Sequence, residues 1–97
     1  MDEILHNNDN SVVVSNFRNA SGVINNATIS ADLMDLLGVV ISTVSVASTG
    51  SGGNYRGTFS KAVCGALTVG AFYRVKIYSS NYGIVIYETY RCTERTA

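Results

Sequence analysis

From residue 27 the chain alternates: Ala27, Ile29, Ala31 and Leu33 are separated by Thr28, Ser30 and Asp32, the period-two pattern of a strand with one buried and one wetted face. That strand runs to Met34. Ser11 to Phe17 is a shorter β-branched run closed by Arg18-Asn19-Ala20-Ser21-Gly22, whose Asn, Ser and Gly suit a turn. After Asp35-Leu36-Leu37-Gly38, Val39 to Val46 reads as a third strand without helix formers. A Ser-, Thr- and Gly-rich hairpin loop, Ala47 to Asn54, leads into Tyr55 to Ser60, which reads as a short edge strand. Lys61 to Leu67 is too short and too broken by Gly65 to hold a helix unaided, so an irregular crossover is expected there. The strongest hairpin comes last. Tyr73, Val75 and Ile77 share a face, Ser79-Ser80-Asn81-Tyr82-Gly83 turns, and Ile84 to Arg91 returns. The first ten residues are polar and asparagine-rich and are expected to form a flexible arm, with residues 11–97 as the folded unit.

Six or seven strands at this spacing predict an all-β fold, an immunoglobulin-like β-sandwich of antiparallel strands. One feature specifies it further. Tyr73 starts a strand just after Gly70, where such sandwiches place a tyrosine whose hydroxyl bonds to backbone a few residues upstream, here near Leu67. Leu67, Gly70 and Tyr73 are therefore read as a structural tyrosine corner. The chain has no proline, so its edge strands need Arg56, Lys61, Arg74 or Lys76, or a neighbouring subunit, to protect them.

Ninety-seven residues suffice for one two-layered core. Seven Lys plus Arg balance seven Asp plus Glu, so no long-range field draws nucleic acid or an anionic membrane, and neither is expected as a partner. Low net charge also protects poorly against self-association, which favours a homo-oligomer or a multi-copy place in an assembly. The N-terminus lacks the basic and apolar regions of a secretory signal, and no apolar run approaches the ~20 residues that span a bilayer. Export is not expected. Cys64 and Cys92 are read as reduced thiols, and with His6 as the one histidine no Cys/His zinc site and no cofactor is expected. Asn19-Ala20-Ser21 and Asn26-Ala27-Thr28 fit the glycan acceptor pattern but are read as turn asparagines.

Little in the chain advertises chemistry. Asp32 and Asp35 are close in sequence, as an acid–base pair would need, but at a strand end they suit turn and solvation roles. A cysteine nucleophile needs a histidine within reach, and His6 lies in the expected arm. The loop Thr49 to Asn54 resembles a phosphate cradle only in its glycines, since no Lys-Ser or Lys-Thr follows and it opens a strand. No catalytic residue is assigned and no enzyme is expected. Of six tyrosines, Tyr55, Tyr73 and Tyr87 are assigned to the core, leaving Tyr78, Tyr82 and Tyr90, with Arg74 and Arg91, as a candidate interface built from residue types enriched where proteins meet.

Two resemblances extend this reading. Leu67-x-x-Gly70-x-x-Tyr73-x-Val75-x-Ile77 resembles the corresponding segment of fibronectin type III domains, with Val69 where those carry a proline. The runs Phe17 to Ile29, Gly53-Asn54-Tyr55-Arg56-Gly57-Thr58 and Gly70-Ala71-Phe72-Tyr73 resemble small structural proteins of tailed bacteriophages. That second resemblance implies a virion protein assembled in the host bacterial cytoplasm, a capsid cement or decoration subunit bound to neighbouring shell proteins. Its alternatives are a head–tail connector or tail accessory protein, or, from another class, a carbohydrate- or receptor-binding module stacking sugars on Tyr78, Tyr82 and Tyr90. It supplies no catalytic residues.

Overall fold

The structure, a computed structural model, describes residues 2–94. Nine strands and one helical turn follow in order: β1 Asp2–Leu5, β2 Asn10–Val14, β3 Arg18–Asn19, β4 Gly22–Val23, β5 Ile29–Asp35, β6 Val40–Ser48, β7 Tyr55–Phe59, α1 Lys61–Gly65, β8 Phe72–Ser79 and β9 Ile84–Thr93. Seven of them form one sheet in the order β1-β9-β8-β5-β6-β7-β2, antiparallel except for β1 against β9, and it curls until it nearly closes into a barrel. β3 and β4 pair only with each other. The all-β architecture is the one the alternation predicts.

The alternation sets the inside of the curl. Ile29, Ala31 and Leu33 of β5 are buried, as are their β8 partners Ser79, Ile77 and Val75. β6 serves both ends of the sheet: Val40 to Val46 pair with β5, and Ala47 and Ser48 pair with β7. Tyr55 and Phe59 of β7 close the core with Cys64, Leu67 and Cys92. Tyr55 is wholly buried, which is affordable only because its hydroxyl donates to Ile24 O at 2.7 Å and accepts from Ala27 N at 3.1 Å.

Four expectations change. The expected arm, residues 1–10, is folded in its described part from Asp2 on: β1 pairs parallel to β9, with Asp2 opposite Tyr90 and Leu5 opposite Thr93, and Ile4 joins the core. The cause is a side chain that imitates a strand. Asn10 Nδ2 donates to Leu5 O at 2.9 Å and Asn10 Oδ1 accepts from Leu5 N at 2.8 Å, tying β1 to the start of β2 across the gap in the barrel. β7 is no edge strand, since it lies between β6 and β2. The expected crossover contains α1, short as the sequence suggests but started by Ser60 Oγ, which accepts from Val63 N at 3.3 Å, and by Asp9 Oδ1, which accepts from Lys61 N at 2.6 Å. Tyr87 leaves the core for the outer face, because it pairs with Lys76 rather than with an inward residue.

The glycine loop is a hairpin between β6 and β7, fixed rather than loose. Phe17 N donates to Gly53 O at 2.8 Å, and a Cβ on Gly53 would come within 2.6 Å of Phe17 N and 2.5 Å of Phe17 O. With φ at 68° this position suits glycine on both counts. The Tyr73 hydroxyl accepts from Thr68 N at 2.8 Å, one residue beyond Leu67, and Gly70 takes φ of 89° between them.

A candidate docking surface

Turns normally carry polar residues, yet the β5–β6 turn carries Leu36, Leu37 and Val39, followed by Val40 and Ile41 at the start of β6, all exposed. Leu37 is 91% exposed. The turn is built around Asp35, whose Oδ1 accepts from Leu37 N at 2.8 Å and from Val39 N at 3.0 Å, while its carbonyl accepts from Gly38 N at 3.1 Å. Asp35 N donates to Val39 O at 3.1 Å, and Gly38 supplies the left-handed φ of 87°. A carboxylate that satisfies two backbone donors holds the apolar side chains outward instead of letting the turn fold them under. The register shift between Leu33 and Met34 re-aims the strand at the same point, so that Met34 pairs with Val40.

The apolar tip is continuous with the outer face of β8 and β9. One row across the sheet reads Val40, Met34, Arg74, Thr89, and the next reads Thr43, Asp32, Lys76, Tyr87. Beyond them Tyr78 pairs with Val85, and at the tip end Phe72 pairs with Arg91. Phe72, Val85 and Tyr87 are exposed. The Arg74 guanidinium lies over the Tyr87 ring at 5.4 Å, and the Lys76 ammonium lies over the Tyr78 ring at 4.9 Å. Arg74, Lys76 and Arg91 thus share the face with two carboxylates: Asp32, which accepts from Thr43 Oγ1 at 2.7 Å and lies 3.4 Å from the Tyr78 hydroxyl, and the exposed Glu3 of β1, the register partner of Arg91. The surface is apolar at its tip and aromatic behind it, with Arg74 and Lys76 laid over the rings.

Of the residues assigned to an interface from sequence, Arg74, Tyr78 and Arg91 fall on this face. Tyr82 and Tyr90 do not. Tyr82 sits in the β8–β9 turn, donating to Asn26 Oδ1 at 2.8 Å and standing edge-on to Phe17 at 5.9 Å. Tyr90 pairs with the inward Tyr73, and its hydroxyl donates to Glu88 Oε2 at 3.2 Å. The sequence reading missed Tyr87 and the whole Leu36 to Ile41 segment. The available signal was five large apolar residues around a glycine turn, where turn chemistry alone asks for none.

The candidate chemical groups are placed in structural roles. Asp32 and Asp35 serve the sheet face and the turn described above. His6 Nε2 lies 3.2 Å from Gly65 O, whereas the Cys64 thiol accepts from Asn10 Nδ2 at 3.1 Å and donates to Phe59 O at 3.9 Å. Burial pushes both thiols above their ordinary value, at Cys64 against the opposing hydrogen bond from Asn10, and at Cys92 with the added effect of Cys64 nearby. Among the described residues no group of three or more His, Cys, Asp and Glu could hold a metal ion, and no helix is long and apolar enough to cross a membrane. No protein family matches the chain, and neither a curated protein nor a solved structure matches it.

Proposed function

We propose that this chain is a non-enzymatic structural subunit that binds neighbouring proteins of an assembly through its β5–β6 tip and the outer face behind it. The observation that carries the reading is Leu37, held almost wholly in solvent by a turn whose hydrogen bonds keep it there. A large exposed apolar group on a rigid turn fits burial in a partner's socket, the arrangement that concentrates binding energy in a few residues. Arg74 and Lys76, laid over the Tyr87 and Tyr78 rings, suit a socket with an acidic rim.

The phage resemblance of the Phe17 to Ile29, Gly53 to Thr58 and Gly70 to Tyr73 runs sets that assembly in a tailed-phage particle, with the chain as a capsid cement or decoration subunit, or in second place a connector or tail component. We read the curled sheet as an immunoglobulin-like arrangement in which β7 and β2 form the shorter layer, a reading supported by the bond from Thr68 N to Tyr73. A sugar-binding platform has less support, because Tyr78, Tyr82 and Tyr90 lie on the outer face, in a turn and on the inner side.

Quantitative mass spectrometry of purified particles from the source phage tests the setting, and a Leu37→Asp variant tests the surface. Copies near the number of shell subunits are expected for a cement protein, and a few per particle for a connector. Absence from the particle overturns the virion reading. Leu37→Asp is expected to fold and to lose incorporation, and normal incorporation overturns the tip as the docking element.

A further inference from the structure

β9 is ten residues long, but β1 covers only its last four on the outer edge, from Tyr90 to Thr93. Among the described residues no strand pairs with Ile84 to Thr89 on that side. The inner side shows the same gap. Ile86 pairs with the buried Ile77 and lines a small apolar pocket of about 20 Å³ with Val14, Phe17, Ile29 and Ile84, yet it is 45% exposed. An inward isoleucine so exposed marks a sheet that stops one strand short.

This edge lacks the usual protections. Ile84-Val85-Ile86-Tyr87-Glu88-Thr89 contains no proline, lysine or glycine, and it pairs with β8 without a register shift. Its one charge, Glu88, accepts from the Tyr90 hydroxyl rather than facing the open edge. Such a segment, β-branched, aromatic and nearly uncharged, is the kind that pairs with another strand. The basic residues that the sequence offered as guards, Arg56, Lys61, Arg74 and Lys76, all lie on other elements.

We propose that this edge joins two copies of the chain, paired antiparallel about a twofold axis through Ile86. Antiparallel partners must share a face, which restricts the axis to alternate registers. An axis at Tyr87 would set the partner's Ile84 against Tyr90, where Asp2 already pairs, and an axis at Val85 would draw the Tyr82-Gly83 turn into the ladder. An axis at Ile86 does neither. It sets Val85 against the partner's Tyr87, a favourable β-branched and aromatic pair, and Ile84 against the partner's Glu88, with no like charges opposed. Zero formal net charge leaves no long-range repulsion between the copies. The pairing is isologous and closes at two, covers Ile86 from both sides, and merges the two outer faces into one continuous surface. It uses a strand edge rather than the Leu37 tip, so it stands or falls separately from the docking reading.

Sedimentation equilibrium of the full chain, in a series reaching about 0.1 mM, is expected to show a monomer–dimer equilibrium. Val85→Lys, at an exposed position, is expected to weaken the dimer by roughly tenfold or more. Adding Tyr87→Glu to that variant sets opposite charges against each other across the axis and is expected to restore it, with circular dichroism confirming the fold of each variant. Leu37→Asp is expected to leave the dimer intact. A wild type that stays monomeric throughout, a dimer indifferent to Val85→Lys, a folded double variant that stays monomeric, or a dimer lost with Leu37→Asp each overturns the proposal.

Discussion

Two tyrosines of one chemistry do different things because their hydroxyls meet different surroundings. Tyr55 Oη is buried between Ile24 O and Ala27 N, so Tyr55→Phe strands a buried carbonyl and an amide and is expected to cost about 1–3 kcal/mol. Tyr73 Oη meets only Thr68 N, in a partly exposed corner, so Tyr73→Phe is expected to cost about 0.5–1.5 kcal/mol. At roughly 4–8 °C per kcal/mol for a domain of this size, thermal unfolding separates the two, and equal shifts would mean that the corner is as dry as the core. The thiols give a pH dependence of known sign. Burial raises both above the ordinary 9.0 in the folded state, so below that value both states hold their protons and nothing changes. As pH rises past it, the unfolded chain releases protons that the folded chain keeps, and stability falls. Urea midpoints measured between about pH 8 and about pH 10 should decline more steeply for the wild type than for a Cys64→Ala, Cys92→Ala variant, and parallel slopes would refute the assignment.

At the scale of elements, the β5–β6 hairpin shows that a turn can be specified by one residue and used by others. Asp35→Ala removes the acceptor for Leu37 N and Val39 N, both exposed enough to turn to water. The stability loss is therefore expected to be about 1 kcal/mol, while binding to any partner of the tip falls more steeply because the leucines lose their fixed direction. Unchanged binding, measured by calorimetry, would place the docking energy elsewhere. What could be read from sequence follows the same division. β5 and β8 were legible because alternation is a local signal, β9 because a turn and a β-branched run follow β8, and the bond from Thr68 N to the Tyr73 hydroxyl because glycine and tyrosine sit at a fixed short offset. The parallel partnership of β1 with β9 was not, since it joins residues about ninety apart through an asparagine that looks like any polar arm residue. Nor was the direction of Tyr87 or Tyr90, because an edge strand carries apolar side chains on both faces and alternation there no longer marks the core.

For the molecule as a whole, the near-closure of the barrel makes the first residues structural. A free arm could be removed without effect on the fold, but β1 contributes Ile4 to the core and a parallel ladder to β9, and Asn10 fastens both to β2. Deleting residues 1–9 also removes Asp9, which anchors Lys61 N at the start of α1, and opens the cavity of about 40 Å³ that Ile4 shares with Val12, Phe59 and Val75. Losing a buried isoleucine alone costs about 2–5 kcal/mol, against about 5–15 kcal/mol for the net stability of a whole domain. The deletion is expected to lower the urea midpoint by a large fraction, or to leave a chain that does not fold cooperatively. It also uncovers the rest of β9, extending the free edge from Ile84 to Thr93, so the truncated protein should dimerise more strongly along that longer edge wherever it folds. Sedimentation of the truncated chain beside the full one checks this, and a stable, well-behaved monomer would show that β1 is the dispensable arm that its sequence suggests.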